Sequence, residues 1–399
     1  MGAGAGEPLR VLFLLPHVAR IVVGGGEILV YRLGEQLRRL GVVSADRLVN
    51  YDAPKPDLVH FFTAWCGDEY YRALKEVRAL GIPYVVSPVF GFRGSRLRRW
   101  KQRLQIELGR RGLTRRERWG IVARMLDGAR AVLAISALEV GPLREFFPFL
   151  PPDKVRAIPL GAPEEIADAD PDAFRGAYGV TGDFVVSVAR LEPHKNQLAL
   201  IRALKGSGRQ LVLIGSPRHN PDYAAQCRAE ADATVRFIDR LPEPLLWSAY
   251  AGARVFALPS HYEVFGLAAL EAAAGGARVV CARESGVREC LGERALYVAP
   301  DSVADIRAKV EAAWQNPTDR AEQQRFVLGE YSWRRVAERF LAVYRECVQG
   351  GPPNPPELGG AWMVGSPNPS EVGGANLESQ ERAHDLPGLW RGGGSRGVP

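Results

Sequence analysis

The sequence predicts an α/β protein made of two doubly wound parallel sheets, and three observations carry that expectation. Short apolar runs alternate with helical stretches over residues 9–349, the alternation that puts helices on both faces of a parallel sheet. The alternation pauses over residues 161–182, GAPEEIADADPDAFRGAYGVTG, where Gly, Pro and Asp gather at the density of a linker, and then restarts. The chain has 399 residues, enough for two domains of ordinary size. Two Rossmann-like sheets joined this way leave an interdomain cleft, and ligands of such folds bind at the carboxyl ends of the strands.

The first eight residues, MGAGAGEP, read as a disordered start. VLFLLP (11–16) is then a short apolar strand, and Gly24-Gly25-Gly26 opens the helical pattern EILVYRLGEQLRRL. DLVHFF and PYVVSP are buried-type strands on either side of a helix over 68–80. After an arginine-rich segment come the strand AVLAIS, a helix over 137–147 and a short strand near VRAIPL, which closes a first domain over 9–165.

The second domain, 166–332, begins with FVVSVAR and continues through QLVLIG, TVRFID, RVFALPS, ARVVCA and ALYVAP, with helices between them. Of the three terminal helical stretches, the last, 333–349, is expected to pack back toward the first domain. Residues 350–399 hold twelve glycines and eight prolines. Their apolar residues, such as Trp362 and Trp390, stand too far apart for burial to offset the entropy of ordering, so this is a disordered tail.

Composition excludes several classes. Hydrophobic residues are 46% and charged residues 24% of the chain, which is ordinary for a globular protein. No apolar run reaches the roughly 18 residues of a membrane span, and the N-terminus lacks the signature of a secretory signal. Cys66, Cys227, Cys281, Cys290 and Cys347 are odd in number and form no CxxC pair, against a disulfide framework or zinc site and in keeping with a cytoplasmic location. The net charge of +7 is local: residues 93–118 carry eleven basic and two acidic side chains, net +9, which leaves −2 for everything else. A nucleic-acid-binding protein is therefore a poor reading, since that segment has no interleaved stacking aromatics and no reader motif.

Two stretches carry chemistry. In RVFALPSHYEVFGLAALEAAAGGARVV, a strand gives way to a helix expected to begin near Val264 to Gly266, with Glu263 just before it and Glu271 eight residues on. At 1.5 Å per residue the carboxylates stand about 12 Å apart, roughly the length of a nucleotide sugar. The amides of Phe265, Gly266 and Leu267 would form a helix N-terminus suited to phosphate. The bland alternative is a dipole-favoured acid beside an unrelated surface glutamate. In SVARLEPHKNQ, Arg190 ends a strand and Lys195 follows at a helix start. Together they offer a planar fork and a point charge for a diphosphate, or else they are two solvated loop charges.

These residues, with the opening GGGE loop, resemble the retaining glycosyltransferases of the large group 1 family (family four), which have the GT-B fold. The similarity covers about residues 9–349. It implies transfer of a hexose from a nucleotide diphosphate sugar, such as a UDP- or GDP-hexose, to a glycan or lipid-linked acceptor in polysaccharide or cell-envelope synthesis, without a metal or other cofactor. A nucleotide-sugar epimerase or another GT-B enzyme is the alternative.

By the same resemblance Arg190 and Lys195 hold the donor diphosphate, Glu263 contacts the transferred sugar and Glu271 binds the ribose hydroxyls. Gly24, Gly25 and Gly26 close over the phosphates, where a side chain would block approach. One departure stands out. Many relatives carry S-P-H-G after the strand that reads PYVVSP here, and this chain has Ser87-Pro88-Val89-Phe90-Gly91. Same-face attack, with the leaving phosphate taking the proton, does not require that imidazole. His60, which ends DLVHFF at the cleft edge, is a candidate substrate contact or a satisfied histidine at a strand end.

Two other motifs fail. Asp168-Ala-Asp170 lies in the linker with no strand before it, unlike a metal-binding DxD, and no GxGxxG follows the first strand. Within the basic segment, Leu97, Trp100, Leu104 and Leu108 recur at spacings of three and four among arginines. They form one face of an amphipathic helix, which either lies on an anionic membrane surface at the cytoplasmic side or faces the core of the first domain.

Overall fold

The computed structural model describes residues 8–15, 25–45, 54–63, 67–91, 96–111, 113 and 118–350. Gly24, Cys66, the expected disordered start up to residue 7 and the tail beyond residue 350 lie outside them.

The first sheet is built from Arg10–Leu14 (β1), Val43–Ala45 (β2), Leu58–Phe62 (β3), Tyr84–Ser87 (β4), Ala131–Ala134 (β5) and Val155–Ala157 (β6). Its helices are Gly25–Arg39 (α1), Gly67–Ala79 (α2), Arg96–Arg110 (α3), Arg118–Gly128 (α4) and Ala137–Phe146 (α5). All pairings are parallel, in the order β2-β1-β3-β4-β5-β6. Every residue of β3, β4 and β5 is buried, as continuous apolar runs require when helices cover both faces. The edge strand β2 is only three residues long and carries too little periodicity to be read from sequence.

The chain next forms Pro171–Tyr178 (α6), inside the stretch expected to be linker. Asp170 caps this helix by accepting from the Asp172 amide at 2.9 Å, Pro171 opens it, and Gly179 ends it at φ 59°. Phe174 is completely buried and anchors it. The turn-forming residues that suggest a linker are thus helix punctuation. Asp170 of the DxD-like triplet is a helix cap.

The second sheet comprises Phe184–Val188 (β7), Gln210–Ile214 (β8), Val235–Ile238 (β9), Val255–Leu258 (β10), Arg278–Ala282 (β11) and Ala295–Val298 (β12), again all parallel, in the order β12-β11-β10-β7-β8-β9. Gln197–Leu204 (α7), Pro221–Glu230 (α8), Glu243–Gly252 (α9), Leu267–Ala274 (α10), Arg288–Leu291 (α11), Val303–Gln315 (α12) and Arg320–Tyr331 (α13) surround it. Both sheets reverse their strand order once, the first between β1 and β3 and the second between β7 and β10. At such a point the flanking loops diverge and leave room for a ligand.

The last helix, Trp333–Gln349 (α14), returns to the first sheet. Its Tyr344 hydroxyl lies 2.6 Å from His60 Nδ1 on β3, and Arg156 on β6 forms a two-pronged pair with Glu346. Where the chain crosses between the two lobes, the strands of passage lie side by side. Ala162 accepts from Trp333 and donates to Tyr331. A Cβ on Gly161 would sit 2.8 Å from Trp333 backbone atoms, so this contact requires glycine.

Candidate active site

The loops leaving β7 and β10 meet at the reversal point of the second sheet. Arg190 lies two residues beyond β7, and Lys195 ends a 3-10 turn, Pro193–Lys195, just before α7. Asn196 follows at φ 61°, a left-handed conformation that Asn tolerates better than most residues. Its amide donates to the carbonyls of Pro259 (3.1 Å) and Pro300 (2.8 Å). One buried side chain thereby ties together the loops after β7, β10 and β12. Gln197 steadies Arg190 by donating to its carbonyl at 2.9 Å.

The charges are paired across these loops. Lys195 Nζ is 2.6 Å from Glu263 Oε1, which also accepts from Ser260 Oγ at 2.7 Å. Burial opposes ionisation of Glu263, but the Lys195 ammonium and these hydrogen bonds outweigh it and hold the carboxyl below its ordinary range. Arg190 lies 3.2 Å from Glu192, a buried carboxylate that His194 Nδ1 also approaches at 3.3 Å. Burial, reinforced by the Lys195 charge, lowers the His194 imidazole to about 4, so it is neutral near pH 7.

Glu263 is held by backbone rather than by the helix. Its amide donates to Glu284 and its carbonyl accepts from Gly286, a short parallel bridge onto the chain after β11. The helix α10 begins only at Leu267, later than expected, because Gly266 turns the chain at φ 97°. A Cβ there would also lie 2.7 Å from Ser285 Oγ. The axial-rise estimate between Glu263 and Glu271 therefore does not apply. The amides of Phe265, Gly266, Leu267 and Ala268 donate to no group of the described chain and stand at the positive end of α10. One turn into α10, half-buried Glu271 accepts from the Tyr250 hydroxyl at 3.2 Å, and burial raises its carboxyl to about 7.

Two family models match the chain: "Glycosyl transferases group 1" over residues 172–328 and "Glycosyl transferase 4-like domain" over residues 15–161. The chain belongs to the group 1 glycosyltransferases. Among curated relatives of this glycosyltransferase, D-inositol 3-phosphate glycosyltransferase from Kribbella flavida is 31% identical over 221 residues, 50% of this chain and 52% of the relative. The match thus spans about half that relative's length. Among solved structures, sucrose-phosphate synthase from Thermosynechococcus elongatus superposes with a TM-score of 0.66 at 19% identity, covering 86% of this chain and all of the other. Anabaena HepE in complex with UDP and glucose superposes with a TM-score of 0.63 at 17% identity over 85% of this chain and all of the other. These likenesses establish the two-domain GT-B fold.

Of the residues expected from sequence, Arg190, Lys195, Glu263, Phe265, Gly266 and Leu267 gather at the ends of β7 and β10, and Glu271 is one turn inside α10. Gly25 and Gly26 form the first residues of α1. His60 is different. It is completely buried, its two ring nitrogens are engaged by Tyr344 and by Ser87 Oγ (2.9 Å), and its ring stacks on Phe62. Burial lowers its imidazole to about 3. The role as a substrate contact is withdrawn; His60 is a packing residue joining β3, β4 and α14.

Sequence reasoning missed Glu192, Asn196 and Ser260, although all three lie within or beside the motif strings. In the basic segment, the buried positions among the described side chains of α3 are Gln102, Ile106 and Gly109, while Trp100 is 61% and Leu104 46% exposed; Leu97 lies outside them. Leu108 is half-buried. Trp100 and Leu104 on the apolar stripe thus face away from the core. Among the described residues no helix is long and apolar enough to cross a membrane.

Proposed function

We propose that this chain is a retaining, metal-independent hexosyltransferase that moves a sugar from a nucleotide diphosphate donor to a glycan or lipid-linked acceptor in polysaccharide or cell-envelope synthesis. The observation that carries this reading is the meeting of Arg190, Lys195 and Glu263 with four unused amides at the strand-order reversal of the second sheet. Arg190 and Lys195 take the diphosphate oxygens, and the amides of 265–268 add the helix-end potential. When the diphosphate draws Lys195 away, Glu263 is released to accept hydroxyls of the transferred sugar. Glu271 accepts the ribose hydroxyls. Gly24, Gly25 and Gly26 come over the phosphates from the first lobe. In the transfer the bond from the anomeric carbon to the phosphate oxygen breaks, and the acceptor oxygen bonds that carbon on the same face. The acceptor proton passes to the leaving phosphate.

The presence of UDP and glucose in HepE makes UDP-glucose the first donor to test. The exposed Trp100 and Leu104 beside the arginines of α3 support a lipid-linked acceptor met at an anionic membrane surface, with the protein peripheral on its cytoplasmic side. A panel of UDP-, GDP- and ADP-sugars scored by thermal shift tests the donor assignment, because a true donor stabilises the folded state by mass action. No shift with any of them, and no transfer, would refute it.

A further inference from the structure

The carboxylate of Glu139 is completely buried and lies outside the donor site. It stands three residues after Ser136, the N-cap of α5, in the spacing of a capping box. In that motif the glutamate ordinarily reaches back to the amide of the capping residue itself. Here it reaches further. One oxygen accepts from the Ile135 amide at 2.7 Å, and the other accepts from the Phe90 amide at 2.5 Å, in the loop after β4. A single carboxylate therefore joins the loops that leave two adjacent strands, β4 and β5. No cation is paired with it among the described residues, and burial raises it to about 7 against the two amide hydrogen bonds.

Both loops then seat against the same residue of the second lobe. Ser136 Oγ donates to the Val264 carbonyl at 2.6 Å. From the other loop, a Cβ at Gly91 would lie 3.0 Å from Val264 Cγ2 and 3.1 Å from Tyr262 Cε1. At the same Val264 carbonyl, a Cβ at Gly286 would lie 2.2 Å from that oxygen and 2.6 Å from Ser136 Cβ, so the lobes meet there without spare room. Val264 directly follows Glu263. The loop that Glu139 grips also carries Val89 and Phe90. Phe90 is buried against Phe146 and Phe147, and Val89 sits at φ 49°. Core packing and one carboxylate fix this loop.

We infer that Glu139 is a positioning residue for glycosyl transfer: it sets the two first-lobe loops that abut Val264 and so places the acceptor side of the site over Glu263. The catalytic consequence rests on the donor-site reading above; the positioning itself does not. Hydrogen exchange of the full chain, Glu139→Gln against wild type, tests the positioning without any ligand. Glutamine still suits a capping box, but its NH2 cannot accept from the second backbone amide. Expected is faster exchange in 88–91 and 262–266 with 190–197 unchanged. Turnover should fall by about tenfold or more, as for misplacement on the ångström scale. The UDP dissociation constant should hold within about twofold, since donor contacts are untouched.

Unchanged exchange and turnover would reduce Glu139 to a helix cap and overturn the inference. If Glu139→Gln fails to fold, Gly91→Ala takes its place, adding a methyl against Val264 where no left-handed backbone is needed. It must lower turnover with UDP affinity kept, and normal turnover would equally overturn the inference. A chain that binds none of UDP, GDP and ADP, yet shows the exchange change, keeps the positioning role and removes the donor reading.

Discussion

Lys195 and Glu263 close on one another at 2.6 Å, from loops that follow different strands of the second sheet. Each neutralises the other in the free protein, so neither is exposed as an isolated buried charge. On the proposed donor-site reading, a diphosphate would compete for the lysine and free the carboxylate as the sugar arrives. Glu263→Gln should therefore leave UDP binding intact while lowering kcat by about a hundredfold, the scale of a lost charge-assisted contact in the transition state. Normal turnover in that variant would exclude Glu263 from the sugar contact.

Glu271 supplies a pH test. Burial raises its carboxyl to about 7, so the folded protein holds this proton more tightly than the unfolded chain does. The associated stability is fully present below the ordinary carboxylate range and is lost as pH rises through about 7. If Glu271 takes the ribose as proposed, binding runs the other way, because the ionised carboxylate is the better acceptor for hydroxyls. Affinity for a nucleotide sugar should increase between about pH 6 and about pH 8, and Glu271→Gln should flatten the profile with a loss on the order of 1–3 kcal/mol. A pH-independent wild-type dissociation constant would rule out the ribose assignment.

Metal removal tests the diphosphate site. Arg190, Lys195 and the amides of 265–268 provide positive potential of the kind a divalent cation would bring to the leaving group. Turnover should persist in excess EDTA. Loss of activity that Mg²⁺ or Mn²⁺ restores would contradict this and demand another account of the leaving diphosphate.

The α3 surface predicts vesicle binding. Arginines flank the exposed Trp100 and Leu104, and each basic residue near an anionic bilayer contributes about 1 kcal/mol, a term that salt screens. Sedimentation with vesicles containing phosphatidylserine should be reversible, weaken in salt and fall strongly in Trp100→Glu. Equal sedimentation of wild type and variant would show that the tryptophan does not insert.

Tyr344→Phe tests the reassignment of His60. It leaves His60 Nδ1 without its partner at 2.6 Å inside the protein. The expected cost is about 1–3 kcal/mol of stability with KM unchanged. A rise in KM at constant melting temperature would return His60 to the substrate.

How much of this was legible in the sequence follows from the range of the interactions. Arg190, Glu192, Lys195 and Asn196 fall in one seven-residue string because one loop carries them, and Glu263 and Glu271 fall in another. The parallel sheets were legible because the covered strands are short, mostly apolar runs that alternate with helical stretches. The start of α10 was not, since Gly266 at φ 97° delays it where composition gives no signal. The burial of His60 depends on Tyr344, 284 residues away, and Glu139 finds Phe90 across 49 residues. No local pattern announces partners at those separations. The S-x-x-E spacing at Ser136 was the one available hint of Glu139, and it pointed only to a cap.

The paired crossings at Ala162 and Trp333 make the first lobe a discontinuous piece of the gene. Residues 8–161 supply its sheet, and α14, through Tyr344 and Glu346, supplies its cover from the far end of the chain. The second lobe is thus an insertion between two parts of its neighbour. A chimera that takes the first lobe from one relative and the second lobe from another must splice twice, at 161–162 and again at 332–333, where the two junctions lie against each other. Exchange at a single junction would leave His60 and Arg156 facing a foreign helix.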